Sequence, residues 1–165
     1  PDRPSLPAPM NQIADLLSAS NIALDVEAPT KARLFEVAGS LFASGAALDG
    51  AAVAGSLAAR EKLGSTGLGQ GVAIPHGRIK GLKEATAAFV RLAEPIAFDA
   101  PDGRPVSILV VLLVPEQATQ QHLDILSELA QMLSDRAFRE NLLAAADPNV
   151  AHTLLSQWEP MRPAA

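Results

Sequence analysis

The sequence predicts an α/β fold, a mixed β-sheet flanked by helices on both faces. Three observations predict it. Residues 106–115, VSILVVLLVP, form an almost unbroken apolar, largely β-branched run, the signature of a strand buried on both sides. Helical patterns stand before and after that run, enough to cover two faces. Between them, residues 86–92 and 95–98 read as short strands, close enough in sequence to pair with each other as antiparallel neighbours. A mixed sheet follows rather than a parallel one.

Taken in order, the first nine residues, PDRPSLPAP, read as a disordered lead without the apolar stretch of a signal peptide, and Met10 is an alternative start. Residues 11–18 predict a short helix ending in a polar loop, with a brief extended piece near Val26. Thr30 is placed as an N-cap for a helix closed by Gly45, because Leu34, Val37, Ala38, Leu41 and Phe42 recur at helical spacing. Asp49 opens a second helix, with Val53 and Leu57 on one face and Gly64 as its stop.

A glycine-rich loop comes next, STGLGQGVAIPHGR over 65–78. After the strands and an Asp-Gly turn at 102–103, Thr119 is placed to cap a helix whose apolar positions are Leu123, Leu126, Leu129, Ala130 and Leu133. Residues 135–145 and 148–157 predict two more short helices. Residues 10–158 therefore read as one domain, of ordinary size, and 159–165 as a loose tail.

Composition narrows the function. Nearly half of the 165 residues are apolar and the net charge is −5, with no Lys/Arg stripe, which argues against a nucleic-acid platform. The chain has no cysteine, so disulfides and thiolate zinc sites are excluded. The uninterrupted apolar run Ile108 to Val114 falls far short of the ~20 residues a membrane helix needs, so no membrane insertion is expected. The expected compartment is the cytoplasm.

The loop fits neither common phosphate motif. From Gly64 the sixth position is Gly69, but Gln70 and Gly71 follow where a P-loop needs Lys and Ser or Thr. After Gly67 and Gly69, Val72 stands where a dinucleotide fingerprint needs glycine. What the loop does offer is backbone freedom for an anion nest, and then His76 between Pro75 and Gly77. A stiff support on one side and no bulk on the other present an imidazole that can act as a nucleophile. The competing reading is a surface histidine behind a plain connector.

His122 falls at about the third position of the helix capped by Thr119, where unpaired amides favour anions. A solvated first-turn residue is its alternative. His152 reads as structural or exposed. Arg60 precedes the glycine loop and is suited to pair with phosphate, to satisfy its own helix end, or to pair with Glu61 of a loop or another copy. Arg78 and Lys80 follow His76 and could steer a partner's phosphate.

Three blocks together, REKLGSTGLGQGVAIPHGR, PIAFDAPDGRPVSILVVLLVP and HLDILSELAQML, resemble the fructose/mannitol-type enzyme IIA family of the bacterial phosphotransferase system, most of all its nitrogen-regulatory branch. The resemblance runs from about residue 11 to 158. It implies a mannitol/fructose enzyme IIA-like fold and a phosphoryl carrier. His76 matches the phosphorylated histidine, with the phosphoryl group expected on Nε2. His122 matches the neighbouring active-site histidine and Arg60 the arginine near the phosphate. Backbone around Ser65, Thr66 and Gly67 would line the pocket. No metal and no cofactor are implied.

The implied donor is the histidine phosphocarrier HPr or its nitrogen-system relative. The implied output is regulation of target proteins such as potassium-transport or sensor-kinase components. The alternative within the family is a sugar carrier passing phosphate to a IIB domain. Outside it stand a metal-dependent hydrolase using His76, His122 and Asp124 or Asp99, and an interaction module in which His76 has no chemistry.

Overall fold

The computed structural model describes residues 12–46, 48–117 and 119–159. The lead at 1–9 and most of the tail lie outside these. Twelve elements follow one another: α1 (Ile13–Leu16), β1 (Leu17–Val26), α2 (Lys31–Ala46), α3 (Gly50–Lys62), β2 (Gly67–Gly69), β3 (Val72–Ala73), β4 (His76–Ile79), β5 (Thr86–Ile96), β6 (Val106–Pro115), α4 (Gln120–Ser134), α5 (Arg136–Ala144) and α6 (Pro148–Gln157).

The sheet runs in the order β1-β5-β6-β3-β2, with β4 also paired to β6. Strand β6 is its axis. Antiparallel β5 lies on one side of it, and β3 and β4 lie parallel to it on the other, one after the other. β1 pairs parallel to β5 at the outer edge. The sheet is therefore mixed, as expected.

Alternation along the strands sends side chains to two separate cores. Phe89, Ile108, Val110 and Leu112 pack under α4, α5 and α6. Val90, Leu109, Val111 and Leu113 pack under α2 and α3. Period-2 geometry makes one central strand serve both, and this is why the 106–115 run is apolar at nearly every position.

Helix starts follow the sequence signals. Thr30 Oγ1 accepts from the Arg33 amide, Asp49 from Ala51 and Ala52, Asp135 from Phe138 and Asp147 from Val150. Val53 and Leu57 are buried as expected. Helices α2 and α3 cross where Gly39 meets Gly50, so closely that a β-carbon on Gly39 would collide with the Gly50 carbonyl oxygen.

Four expectations are corrected. The helix expected over 11–18 is observed only at Ile13–Leu16, and the polar loop after it is strand β1. Its text, LSASNIALDV, lacks regular alternation because the pairing with β5 shifts register twice along its length. The two strands expected at 86–92 and 95–98 are one, β5, ending at Ile96, and its antiparallel partner is β6. Pro95 cannot donate to a ladder, and a register shift lies between Arg91 and Ile96. The glycine loop holds three short strands, β2 to β4, rather than a connector.

The α4 stripe is also displaced. Ile125, Leu129, Met132 and Leu133 are buried, whereas Leu123 is 57 % exposed and Leu126 half-buried. The reason lies in what faces that end of the helix.

Candidate functional site

Strand β6 aligns everything that meets at the site. β2 and β3 form a hairpin whose turn, Gly69-Gln70-Gly71, takes positive φ throughout. Asp102 in the next turn ties this hairpin down by accepting from the Gln70 amide at 2.8 Å, and also from the Arg104 amide at 3.0 Å. These bonds hold the Asp102 carboxyl below its usual range. β3 then leaves β6 at Ile74, Pro75 accepts from the Leu112 amide, and β4 rejoins it at His76.

The break in the strand has a chemical result. His76 Nδ1 lies 2.8 Å from the carbonyl oxygen of Ile74. A carbonyl can only accept, so the ring hydrogen sits on Nδ1 and the lone pair is on Nε2. Burial lowers the His76 pKa below 6.5, the Ile74 bond opposes that, and Arg60 adds to the lowering while Glu61 opposes it. The net effect is a neutral imidazole near pH 7, half-buried, with Nε2 as its free base.

His122 is held in the opposite tautomer. Its Nδ1 accepts from the Thr119 amide at 3.1 Å, a bond across the first turn of α4. The ring hydrogen is then on Nε2, where it can be donated. His76, His122 and Arg60 line one cleft of about 390 Å³, together with Ser56, Leu63, Leu123 and Leu126. An adjoining hollow of about 220 Å³ shares Arg60, His76 and Leu126 and is lined by Ser65, Thr66 and Gly67. The structure thus brings His76, His122, Arg60, Ser65, Thr66 and Gly67 to two adjoining hollows.

Their partners differ in ways the sequence did not disclose. Arg60 Nη1 donates to the Gly64 carbonyl at 2.9 Å, closing its own helix end and leaving its other donors. Within the chain the ion-pair partner of Glu61 is Lys31 instead. The Thr66 amide is taken by the Glu61 carboxylate and the Gly67 amide by Ser65 Oγ, which itself donates to Phe98. These two amides are therefore engaged within the protein.

Residues outside the first set also matter. Leu63 is 84 % exposed and Leu123 57 %, and both stand at the cleft mouth. Leu123 had been expected in the helix core. Glu61 carried a signal that sequence reading passed over: a carboxylate in the last turn of a helix opposes the macrodipole and needs a reason to be there.

Arg78 also lines the larger cleft, whereas His152, Asp124, Asp99 and Lys80 are not among the residues lining either hollow. His152 Nε2 donates to the Leu17 carbonyl at 2.9 Å and ties α6 to β1. Asp124 accepts from Gln120, and Asp99 meets Lys31. Among the described residues no group of three His, Cys, Asp or Glu is arranged to share a metal ion. No helix among them is long and apolar enough to cross a membrane.

The chain is similar to known proteins over most of its length. Residues 15–158 match the family described as phosphoenolpyruvate-dependent sugar phosphotransferase system, EIIA 2. A nitrogen regulatory protein of Pseudomonas aeruginosa is 40% identical over 137 residues, covering 82% of this chain and 89% of that protein. The crystal structure of nitrogen regulatory protein IIA-Ntr from Neisseria meningitidis superposes with a TM-score of 0.83 at 52% identity, over 88% of this chain and 99% of that one. The IIA mannitol structure from Escherichia coli has a TM-score of 0.71 at 24% identity, over 84% and 97% of the two chains, a likeness of fold.

Proposed function

From the premise that this chain belongs to the EIIA 2 family of the phosphoenolpyruvate-dependent sugar phosphotransferase system, we propose that it is a phosphoryl carrier whose acceptor atom is Nε2 of His76. The observation that carries this reading is the pair of opposed tautomers in one cleft, a lone pair on His76 Nε2 and an N–H on His122 Nε2. A nucleophile and a donor are what transfer onto a histidine requires.

In the proposed step, His76 Nε2 attacks the phosphorus of a phosphohistidine on the donor protein. One N–P bond forms as the donor's N–P bond breaks, the donor ring keeps that bond's electron pair, and the hydrogen on His76 Nδ1 stays on Nδ1, donated to the Ile74 carbonyl. Nearly equal bonds are exchanged, so positioning and charge stabilisation do the work. Arg60 and His122 Nε2–H are the groups placed to donate to the phosphoryl oxygens. The donor is HPr or its nitrogen-system relative, which places the exchange in the cytoplasm. The exposed Leu63, Leu68 and Leu123 around the cleft suit docking by such a protein.

The output we assign is regulatory. Relatives named nitrogen regulatory proteins stand among the most similar, and a phosphoryl group adds about −1.5 to −2 charge at the centre of an apolar rim. That change would alter which target binds, with potassium-transport and sensor-kinase components as the targets expected for that branch. Transfer onward to a IIB domain is the second reading, favoured by the same geometry and by a fructose-specific EIIA relative from Haloferax volcanii, 38% identical over 102 residues.

The test is incubation with phosphoenolpyruvate, the first enzyme of the system and each phosphocarrier in turn, followed by intact mass. One acid-labile phosphoryl group is expected, absent in His76→Ala and acquired more slowly in His122→Ala and Arg60→Ala. A folded wild-type protein left unlabelled by both carriers would refute the reading.

A further inference from the structure

Glu61 is a nearly buried carboxylate with no part in the transfer step described above. Its side chain is 6 % exposed and Lys31 Nζ lies 2.8 Å from it. Lys31 is itself held over the Phe98 ring, 4.5 Å from its centre, and near Asp99. An ion pair this enclosed is costly to desolvate and is weak evidence for stability by itself. What it holds is therefore the question.

It holds Thr66. The Glu61 carboxylate accepts from the Thr66 amide at 3.1 and 3.3 Å and from Thr66 Oγ1 at 2.7 Å. Thr66 is itself buried. Its carbonyl accepts from the Ile74 amide at 3.1 Å. The Ile74 carbonyl then accepts from His76 Nδ1. Four bonds in series join Lys31 to the imidazole, and the last of them fixes its tautomer.

We propose that Glu61 is a positioning residue for His76, acting through Thr66 and Ile74 to aim the carbonyl that keeps the ring hydrogen on Nδ1. The proposal rests on the reading that His76 Nε2 accepts the phosphoryl group. Free neutral imidazole side chains favour the hydrogen on Nε2, so the protein must impose the tautomer that leaves Nε2 open. Fixing a ring by what its other nitrogen donates to is the general device for functional histidines. Glu61 extends the device back to a fixed charge.

The experiment uses the unphosphorylated protein labelled with ¹⁵N, at about pH 8, where the ring is neutral. Ring nitrogen shifts report the tautomer of His76. The wild type is expected to hold the Nδ1–H form. Glu61→Gln, whose amide faces Lys31 unfavourably, and Thr66→Val, which removes one hydroxyl, are expected to shift the ring toward Nε2–H. Both should lower the maximal rate of phosphoryl acceptance by roughly tenfold to a hundredfold, the range found when partners orienting a metal-bound imidazole are removed. The half-saturating donor concentration should not change. Thr66→Ser should restore both readouts.

An Nε2–H ring in the wild type, or an unchanged Nδ1–H ring in folded variants, would overturn the proposal and leave Glu61 as a loop anchor only. Should Glu61→Gln not fold, Thr66→Val decides. If instead no phosphocarrier labels the wild type, the transfer reading fails, and the tautomer measurement still decides the positioning by itself.

Discussion

A single carbonyl, that of Ile74, decides which nitrogen of His76 carries the hydrogen and which keeps its lone pair. Because burial lowers the pKa of that ring, the neutral form is retained below the ordinary histidine range. Phosphoryl acceptance should rise with pH through a midpoint below 6.5 and be flat above it, which a rate-versus-pH profile checks. The same shift has a stability consequence. The folded pKa is depressed, so the contribution is present above about 6.5, the unfolded value. It is lost as pH falls through the folded pKa. His76→Gln should abolish that part of the pH dependence of unfolding. At this scale the sequence was generous. His76, Arg60 and His122 were singled out from their neighbours, and they meet in one cleft. Glu61 was read only as a partner for Arg60, because its partners, Lys31 and Thr66, stand thirty and five positions away, and no local spacing links a carboxylate to both.

Among the elements, legibility followed the range of the forces that make each one. Helices α2 to α6 carry caps and periodic apolar faces, which are local signals, and their positions were read closely. β6 announced itself through its double burial. β1 was missed because ten residues containing two serines and an asparagine become a strand only when β5 supplies the ladder. The strands inside the glycine loop were missed for the same reason, since β3 and β4 are formed by β6. Close approach between elements is equally invisible in sequence. Gly39 gives no local sign that α3 passes over it. Gly39→Ala should force α2 and α3 apart and cost about 1–3 kcal/mol, the usual range for overpacking, measured by urea unfolding. Gly55→Ala is the control, since nothing lies near its added β-carbon and the substitution favours helix.

Across the molecule, one buried charge spans layers that share no sequence neighbourhood. Arg91 in β5 donates to the carbonyls of Leu142 and Ala145 at the end of α5, and to Asp25 at the end of β1. It closes a helix C-terminus from the sheet beneath it, far from the cleft. Arg91→Met would keep much of the bulk while leaving those carbonyls without a partner. The expected loss is roughly 1–3 kcal/mol for each that stays dry, seen as a lower thermal midpoint with His76 phosphorylation retained at low temperature.

The edge position of β1 also sets an order of assembly. Its ladder partner is β5, about seventy positions later at Leu17↔Ala87, and α6, at the far end of the described chain, covers its flank through His152. On the ribosome this first strand emerges with neither neighbour yet made. It must wait, unpaired, until translation has passed residue 96 and then 157. A strand made before either of its neighbours is thus the stretch that a chaperone or a neighbouring nascent chain would meet open.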